Sequence, residues 1–572
     1  MIWLKKFILR LFFIFYFATF FSVILLLFLA PVFDSDNVVI FFATTPFSIN
    51  SRFPLFWHII KSLYIVFCFL SFSILCNSIF TFLDLIFKNI KPFNIKKNNS
   101  NNSKNDKISL YIGKNSKNSS VFIPLDGLYQ NMLVTGSIGS GKTSSLLYPL
   151  TKQLLELNFS QKYNSSFLIL DVKGNYYKFV QEVCMKSFCS SDLLIISLNN
   201  NITYNPLHKP NLKAHVLANR LKNILLLFSP QQTESYWIDK AEQILTEAIK
   251  LCRLYNDNYV TFIEIHKLIM SHEYYQNKIN YLKSLFFKNV LDENQLSSLL
   301  SCMNFFEDEF FSLDDRTQSI LKSEISRITN VFVSDSDIQR IFCPKKEDIS
   351  FPGFDYVLKN HKIVVLDMNL SEYSSLAKII AAYLKIDFQS EILIQLSKSS
   401  PIFPSCFICD EYHEYVTPND AAFFAQSREA KCINIVATQS YSSLLASIHD
   451  SYSTKVLIQN MINKFWFRTD DSFTIDEIIK QAGKEEKRVV SKSIAENARQ
   501  TNYNFIFGSL LSKDSNISES YNTSFQKDFI FDSNFFSRDL ETFTCLAFIS
   551  NGHSILPLEK LILTPYFFKE RN

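Results

Sequence analysis

Glycine is scarce in this chain, ten in 572 residues. Charge of one sign is lacking too: 58 Lys and Arg stand against 54 Asp and Glu, a net of +4. That balance excludes binding to nucleic acid through bulk charge, and leaves local basic patches or a pore as the only electrostatic routes. The eleven cysteines are scattered without paired metal-site spacing. Cys406-Phe-Ile-Cys409 is a formal C-x-x-C, but it lies in an apolar run that reads as a strand. Residues three apart on a strand face opposite sides, which excludes joint metal ligation and a redox pair. The cysteines read instead as small buried apolar residues in a reducing cytosol. Internal repeats are absent as well.

Against that scarcity, three glycines fall within six residues, at 136, 139 and 141. Gly136–Ser145 reads GSIGSGKTSS and fits G-x-x-x-x-G-K-[ST], with Gly136, Gly141, Lys142 and Thr143 at the fixed places. An apolar run, Asn131–Thr135, precedes it, and Ser144–Tyr148 can open a helix. This strand–loop–helix setting turns a string match into a phosphate site. Glycines let successive backbone N–H groups of Gly136, Ser137, Gly139, Ser140, Gly141 and Ser144 point at phosphate oxygens, and the helix N-terminus adds partial positive charge. Lys142 is expected on the β/γ-phosphates of ATP and the Thr143 hydroxyl on Mg²⁺. The competing reading is a Gly/Ser surface turn.

Hydrolysis also needs an acid and a base. Cys406–Glu411 is an apolar run ending Asp410-Glu411. Asp410 is expected to hold Mg²⁺ through water, and Glu411 to orient the attacking water and take its proton. Asp171 and Asp367 end similar runs and are rivals for the metal, but neither has a following Glu. Gln439 ends another run, Ile433–Gln439, where its amide can sense the γ-phosphate, position water or merely cap a strand. His413 lies nearby with no paired nucleophile or ligand and reads as a surface histidine. No LSGGQ-like signature separates the two nucleotide motifs, which disfavours an ABC transporter ATPase.

Around these motifs the chain divides. Residues 1–90 read as a membrane anchor with two spans. Leu11–Ala30 is 20 uncharged, mostly apolar residues, and a second run covers 62–83. Lys5, Lys6 and Arg10 precede the first span, and Lys88, Lys91, Lys96 and Lys97 follow the second. The positive flanks place both termini in the cytoplasm. Residues 91–120 form an Asn/Ser/Lys-rich linker, with one short strand possible at Ile108–Ile112. Residues 121–212 and 346–572 show buried-strand runs with acidic ends, an α/β pattern whose ligand edge is the C-terminal end of the strands. Strand signal disappears over 213–345. There Trp237, Ala241, Ile244, Leu245, Ala248 and Cys252 keep 3–4 spacing, and an inserted all-α domain is expected. After Gly483 the pattern weakens: 485–502 is polar, 510–524 reads as loop, and 542–549 and 558–563 can each add a strand.

In order, these residues resemble type IV secretion coupling proteins, the TraG/TraD-like ATPases of conjugation. The resemblance rests on the two N-terminal apolar runs, GSIGSGKTSS, Leu170-Asp-Val-Lys-Gly174, Tyr204-Asn-Pro-Leu207 and the helical insertion. Cys409-Asp-Glu-Tyr-His413, Ser427-Arg428 and Ala437-Thr-Gln-Ser440 complete it. It runs from the first apolar run to about Arg468 and more weakly to Pro565. It implies a RecA-like motor carrying an all-α domain, anchored as a homo-hexamer in the bacterial inner membrane. It also implies delivery of relaxase-bound single- or double-stranded DNA, or of effector proteins, to a type IV secretion channel. In such proteins an arginine in the segment Phe423–Ala430 crosses to the neighbouring subunit's nucleotide, which makes Arg428 a candidate catalytic group. An ordinary surface arginine paired with Glu429 is the alternative. The chain departs from the family at Val172, where proline is commoner, and at Asn175, where an acidic residue often follows, leaving the role of Asp171 open. It also lacks a long acidic tail. Two other functions stay in view, a septal DNA translocase of the FtsK kind and a non-hydrolysing membrane receptor that docks substrates.

Overall fold

The computed structural model describes residues 108–571 apart from 161, 188, 229–234, 289–291, 398–400, 497–501, 505–508 and 512–516, plus the isolated positions Leu55, Ile59 and Val66. Apart from Val66, both expected membrane spans lie outside these residues, as does most of the linker. No helix among the described residues is long and apolar enough to cross a membrane. Residues 1–105 and 106–572 form two units, and the second is described here.

Its frame is one sheet of eleven strands. Seven run parallel: β3 (Met132–Thr135), β4 (Ser166–Leu170), β5 (Leu193–Ile196), β6 (Ile363–Leu366), β7 (Ser405–Cys409), β8 (Cys432–Thr438) and β9 (Asn463–Trp466). They lie side by side in the order β9-β3-β8-β7-β4-β6-β5. Beyond β9 the sheet continues antiparallel through β14 (Thr544–Phe548), β15 (Glu559–Ile562), β1 (Ser109–Asn115) and β2 (Ser120–Pro124). Parallel strands covered on both faces must be apolar throughout, and β3, β4, β6, β7, β8 and β9 are buried at every residue. The strand period of two sends alternate residues to different cores. Leu168, Phe407 and Cys409 join one core, and Phe167, Cys406 and Ile408 the other. The two cysteines of the C-x-x-C therefore face opposite sides of the sheet, as expected.

Among the described residues, all elements between Ala214 and Phe342 are helical, from Ala214–Leu226 and Ser235–Tyr255 through Asp315–Thr329 to Ser336–Phe342. In Ser235–Tyr255 the 3–4 stripe Ala241, Ile244, Leu245, Ala248 and Cys252 is fully buried, and Ile244 and Leu245 each contribute about 1.5–3 kcal/mol by leaving water. This helical region shares one continuous apolar core with a face of the sheet. Tyr204-Asn-Pro-Leu207 ties the two together: Asn205 Nδ2 donates to the Val260 carbonyl (2.8 Å) and the Tyr204 hydroxyl to Asp387 (3.2 Å).

The stretch after Gly483 departs from expectation. Residues 484–529 are largely paired rather than loop: β10 (Lys484–Glu496) and β13 (Ile517–Phe529) form a long antiparallel ribbon, with a short pair β11 (Asn502–Asn504) and β12 (Ser509–Leu511) between them. The ribbon pairs through backbone groups, and its sequence is largely polar, so apolar periodicity gives it no signal. The two strands expected near the C-terminus are present as β14 and β15.

A candidate nucleotide site at the C-terminal edge of the sheet

β3 ends at Thr135, and the chain turns at once into the glycine loop. The loop is fastened to neighbouring strand ends: Gly136 N–H donates to the Gln439 carbonyl (3.2 Å) and Ser137 N–H to the Arg468 carbonyl (2.8 Å). Gly141 holds φ at +99°, and a Cβ there would lie 2.5 Å from the Phe543 ring. Only glycine fits such a position. A helix follows, opened by a π-helical turn at Thr143–Leu147 and continuing through Tyr148–Phe159.

Ser137–Ser144 line a cavity of about 610 Å³, together with Tyr148, the Val172–Asn175 loop, Asp410, Glu411, His413, Glu414, Gln439 and Phe543. Gly136 sits at the strand end beneath it. Lys142 is buried, and its ammonium donates to the carbonyls of Gly136 and Ser137. Burial pulls its pKa below the ordinary value, and the charges of Glu411 and Asp410 push back.

Topology brings the second motif here. β7 is separated from β3 by β8 alone, so Asp410 stands one strand away from the loop that begins far upstream. The Thr143 hydroxyl donates to Asp410 Oδ2 at 2.7 Å. Burial raises the pKa of Asp410; the Thr143 hydrogen bond opposes this, while the negative charges of Glu411 and Asp171 add to it. Thr143 and Asp410 therefore converge as two hard oxygen donors, one of them a buried carboxylate whose charge Lys142 partly offsets. That donor set fits Mg²⁺, which takes few protein oxygens and completes its shell from water and phosphate.

Glu411 has left-handed backbone (φ +49°) directly after the strand. Its N–H donates to Asp410 Oδ1 at 3.0 Å. Its Oε2 is buried and takes no hydrogen bond from the described residues. A strained residue bearing a free buried acceptor at a cavity wall is poised to accept a proton from bound water.

His413 corrects the sequence reading. It is not a surface residue: its side chain is 13% exposed, and Nδ1 lies 3.2 Å from Thr438 Oγ1 and 3.7 Å from Glu411 Oε2. Glu411 is close in sequence, but Thr438 is brought over the ring only by the fold, so no sequence pattern marks its burial. Phe543 was missed altogether. It packs against the glycine loop and lines the cavity, yet it lies in the weakly patterned C-terminal stretch, and one phenylalanine among 57 carries no signal.

The rivals take other places. Asp171 accepts from the N–H groups of Lys173, Asn175 and Tyr176 at 3.1–3.2 Å, which caps the helix Tyr176–Lys186 and shapes the loop beside the cavity. Asp367 follows β6, two strands beyond β7, and bonds Ser197 instead of lining the cavity. Gln439 lines the cavity between the loop and Asp410 because β8 lies between β3 and β7.

Arg428 is not at this cavity in its own chain. It follows the helix Asp420–Gln426 and lies at the opposite end of the strands, lining a separate recess with Asn131, Asn460 and Ser550. One Nη donates to the Gly552 carbonyl at 3.2 Å.

The sequence matches no family model, and no curated protein matches it. The fold does have solved counterparts. The unbound bacterial conjugative coupling protein TrwBdeltaN70 superposes with a TM-score of 0.52 at 13% identity, covering 78% of this chain and 87% of that one. TrwB in complex with the non-hydrolysable GTP analogue GDPNP gives 0.52 at 13%, covering 77% and 87%. TrwB in complex with ADP and Mg²⁺ gives 0.51 at 13%, with the same coverage. At this identity the likeness is one of fold, and it is the α/β, RecA-like fold expected from the sequence.

Proposed function

We propose that this chain, which has the fold of TrwB, is a membrane-anchored Mg²⁺-dependent ATPase of the coupling-protein kind. In this reading it drives DNA with its relaxase, or effector proteins, into a type IV secretion or conjugation channel. The observation that carries the ATPase is the convergence of Lys142, Thr143, Asp410 and Glu411 on one cavity from distant parts of the chain. Nucleotide with Mg²⁺ in the same fold of TrwB supports the choice of ligands.

The residues divide the work. The backbone N–H groups of the glycine loop and the Lys142 ammonium bind the β/γ-phosphates. Mg²⁺, when bound, neutralises charge on those phosphates, and Thr143 and Asp410 are the groups that would hold it. Glu411 orients a water and takes its proton as the water attacks. Gln439 reads the γ-phosphate from the adjacent strand end. Arg428 lies away from its own chain's cavity; in this reading it serves a neighbouring copy's nucleotide in a homo-hexameric ring. The runs at 11–30 and 62–83 anchor the chain in the inner membrane with both termini cytoplasmic.

The test is ATP hydrolysis by the full chain in detergent or nanodiscs, with and without single-stranded DNA. Hydrolysis that DNA stimulates and Lys142→Ala abolishes is expected. Hydrolysis absent from the wild type would leave the docking receptor in its place.

A further inference from the structure

We propose that His413 is a positioning residue that links the end of β8, where Gln439 lies, to the base carboxylate of Glu411. The inference rests on the ATPase reading and deepens it.

The imidazole stands between two elements that sequence keeps apart. Nδ1 is 3.2 Å from the hydroxyl of Thr438, the residue before Gln439, and 3.7 Å from Glu411 Oε2. Nε2 is 3.6 Å from Glu414 Oε1, and Glu414 in turn meets Lys378 of the helix Leu370–Ser397 at 3.4 Å. The turn that carries His413 is rigid. Lys385 and Asp420, both fully buried, meet at 2.5 Å, and Lys385 also donates to the Tyr415 carbonyl at 2.6 Å. The Tyr412 hydroxyl donates to the same Asp420 carboxylate. With its backbone fixed on both sides, the ring has one main freedom, to share Nδ1 between Thr438 and Glu411. A shift of the β8 end as Gln439 engages phosphate changes which partner it favours, and so aims or withdraws Oε2.

The charged groups facing the ring are Glu411 and Glu414 on its own turn, with Lys378 from the long helix, Lys142 from the glycine loop and Asp410 from the end of β7. Burial lowers the imidazole pKa, with Glu414 and Asp410 opposing and Lys378 and Lys142 adding. At neutral pH the ring is therefore uncharged and leaves the Glu411 carboxylate free to accept a proton. In acid the imidazolium pairs with Oε2 and occupies the lone pair that water needs.

The experiment is steady-state ATP hydrolysis by the full chain in nanodiscs across pH, with binding of a fluorescent ATP analogue in parallel. His413→Ala is expected to lower kcat about ten- to a hundred-fold, the scale for a misplaced reacting group, with KM and analogue affinity within two-fold, roughly the scatter of such measurements. His413→Asn, which keeps a polar group near Nδ1 and cannot be charged, is expected to recover most of kcat and to move the acid limb of kcat to lower pH. Thr438→Val is expected to lower kcat with KM unchanged. Wild-type kcat and an unmoved acid limb in His413→Ala would overturn the proposal. So would a His413→Asn enzyme as slow as His413→Ala with its limb unmoved. If His413→Ala does not fold, the other two variants decide. Wild-type hydrolysis no higher than that of Lys142→Ala would overturn both this link and the ATPase reading beneath it.

Discussion

Two clusters of buried polar groups, one at each end of the central strands, are satisfied to different degrees. At the N-terminal end, Asn131 gives Nδ2 to the carbonyls of Phe424 and Asn460, both at 2.9 Å, and its Oδ1 accepts from Ser427 (2.9 Å) and Asn434 (2.7 Å). Asn463 closes the network on Gly127 at 2.8 Å and accepts from Ser550 N–H at 2.8 Å. At the C-terminal end, on the same strands, burial raises the pKa of Asp410 and lowers that of Lys142, and Glu411 Oε2 has no hydrogen bond among the described residues. Buried polar groups are ordinarily satisfied. The Asn131 network is therefore architecture, and the cluster around Asp410 and Glu411 is where a ligand completes the bonding.

The sharpest way to break this division is Glu411→Gln. The amide keeps the shape but cannot take a proton, so turnover is expected to fall about 10²–10⁴-fold while a fluorescent ATP analogue still binds. Near-normal turnover would move the base elsewhere. Arg428→Ala probes the satisfied end for hidden chemistry. Alone it is expected to lower hydrolysis about a hundred-fold, and mixing with Lys142→Ala subunits is expected to restore part of it, since the partner supplies the arginine and Arg428→Ala the sound loop. Normal hydrolysis by an Arg428→Ala ring would return that end to architecture alone.

Gly141→Ala attacks the glycine loop's backbone. Strain at φ +99° and a Cβ 2.5 Å from the Phe543 ring should displace the loop and weaken analogue binding about five- to a hundred-fold, the equivalent of about 1–3 kcal/mol of strain. Asn131→Ala is the mirror experiment. It strands Ser427 and Asn434 and is expected to cost about 1–3 kcal/mol of stability, seen as a lower urea midpoint, with kcat per folded molecule unchanged.

The smallest effect has an opposite sign. The folded-state pKa of Asp410 is raised, so its ionisation destabilises the native state. The penalty is absent in acid, where the carboxyl is protonated in both states, and grows as pH rises from its ordinary value of 3.8 through the raised native one. Asp410→Asn is thus expected to raise the unfolding midpoint slightly at neutral pH and to lose that advantage in acid. A lower midpoint at neutral pH would show the ion to be stabilising.

Local chemistry made much of this legible. Gly136–Ser145 declares itself because phosphate binding needs a curled backbone, a lysine and a hydroxyl within ten residues. The buried strands declare themselves by unbroken apolar runs, and the helix Ser235–Tyr255 by its 3–4 stripe. The ribbon of β10 and β13 had no such signature, since a backbone ladder leaves side-chain pattern free. His413 reads as a surface residue in the sequence because Thr438, which closes over it, comes from β8 and meets it only in three dimensions.

Local sequence alone is enough to mark the groups that can do chemistry: Lys142 and Thr143 follow a glycine loop, and Asp410, Glu411 and Gln439 sit at the ends of apolar runs. The tertiary structure alone decided where those ends meet. Inserting β8 between β3 and β7 puts Gln439 between loop and carboxylate, folding back β14 and β15 lays Phe543 on Gly141, and the length of the strands keeps Arg428 from its own chain's nucleotide cavity. Strand order is fixed by packing among residues far apart in the chain, which no local pattern records.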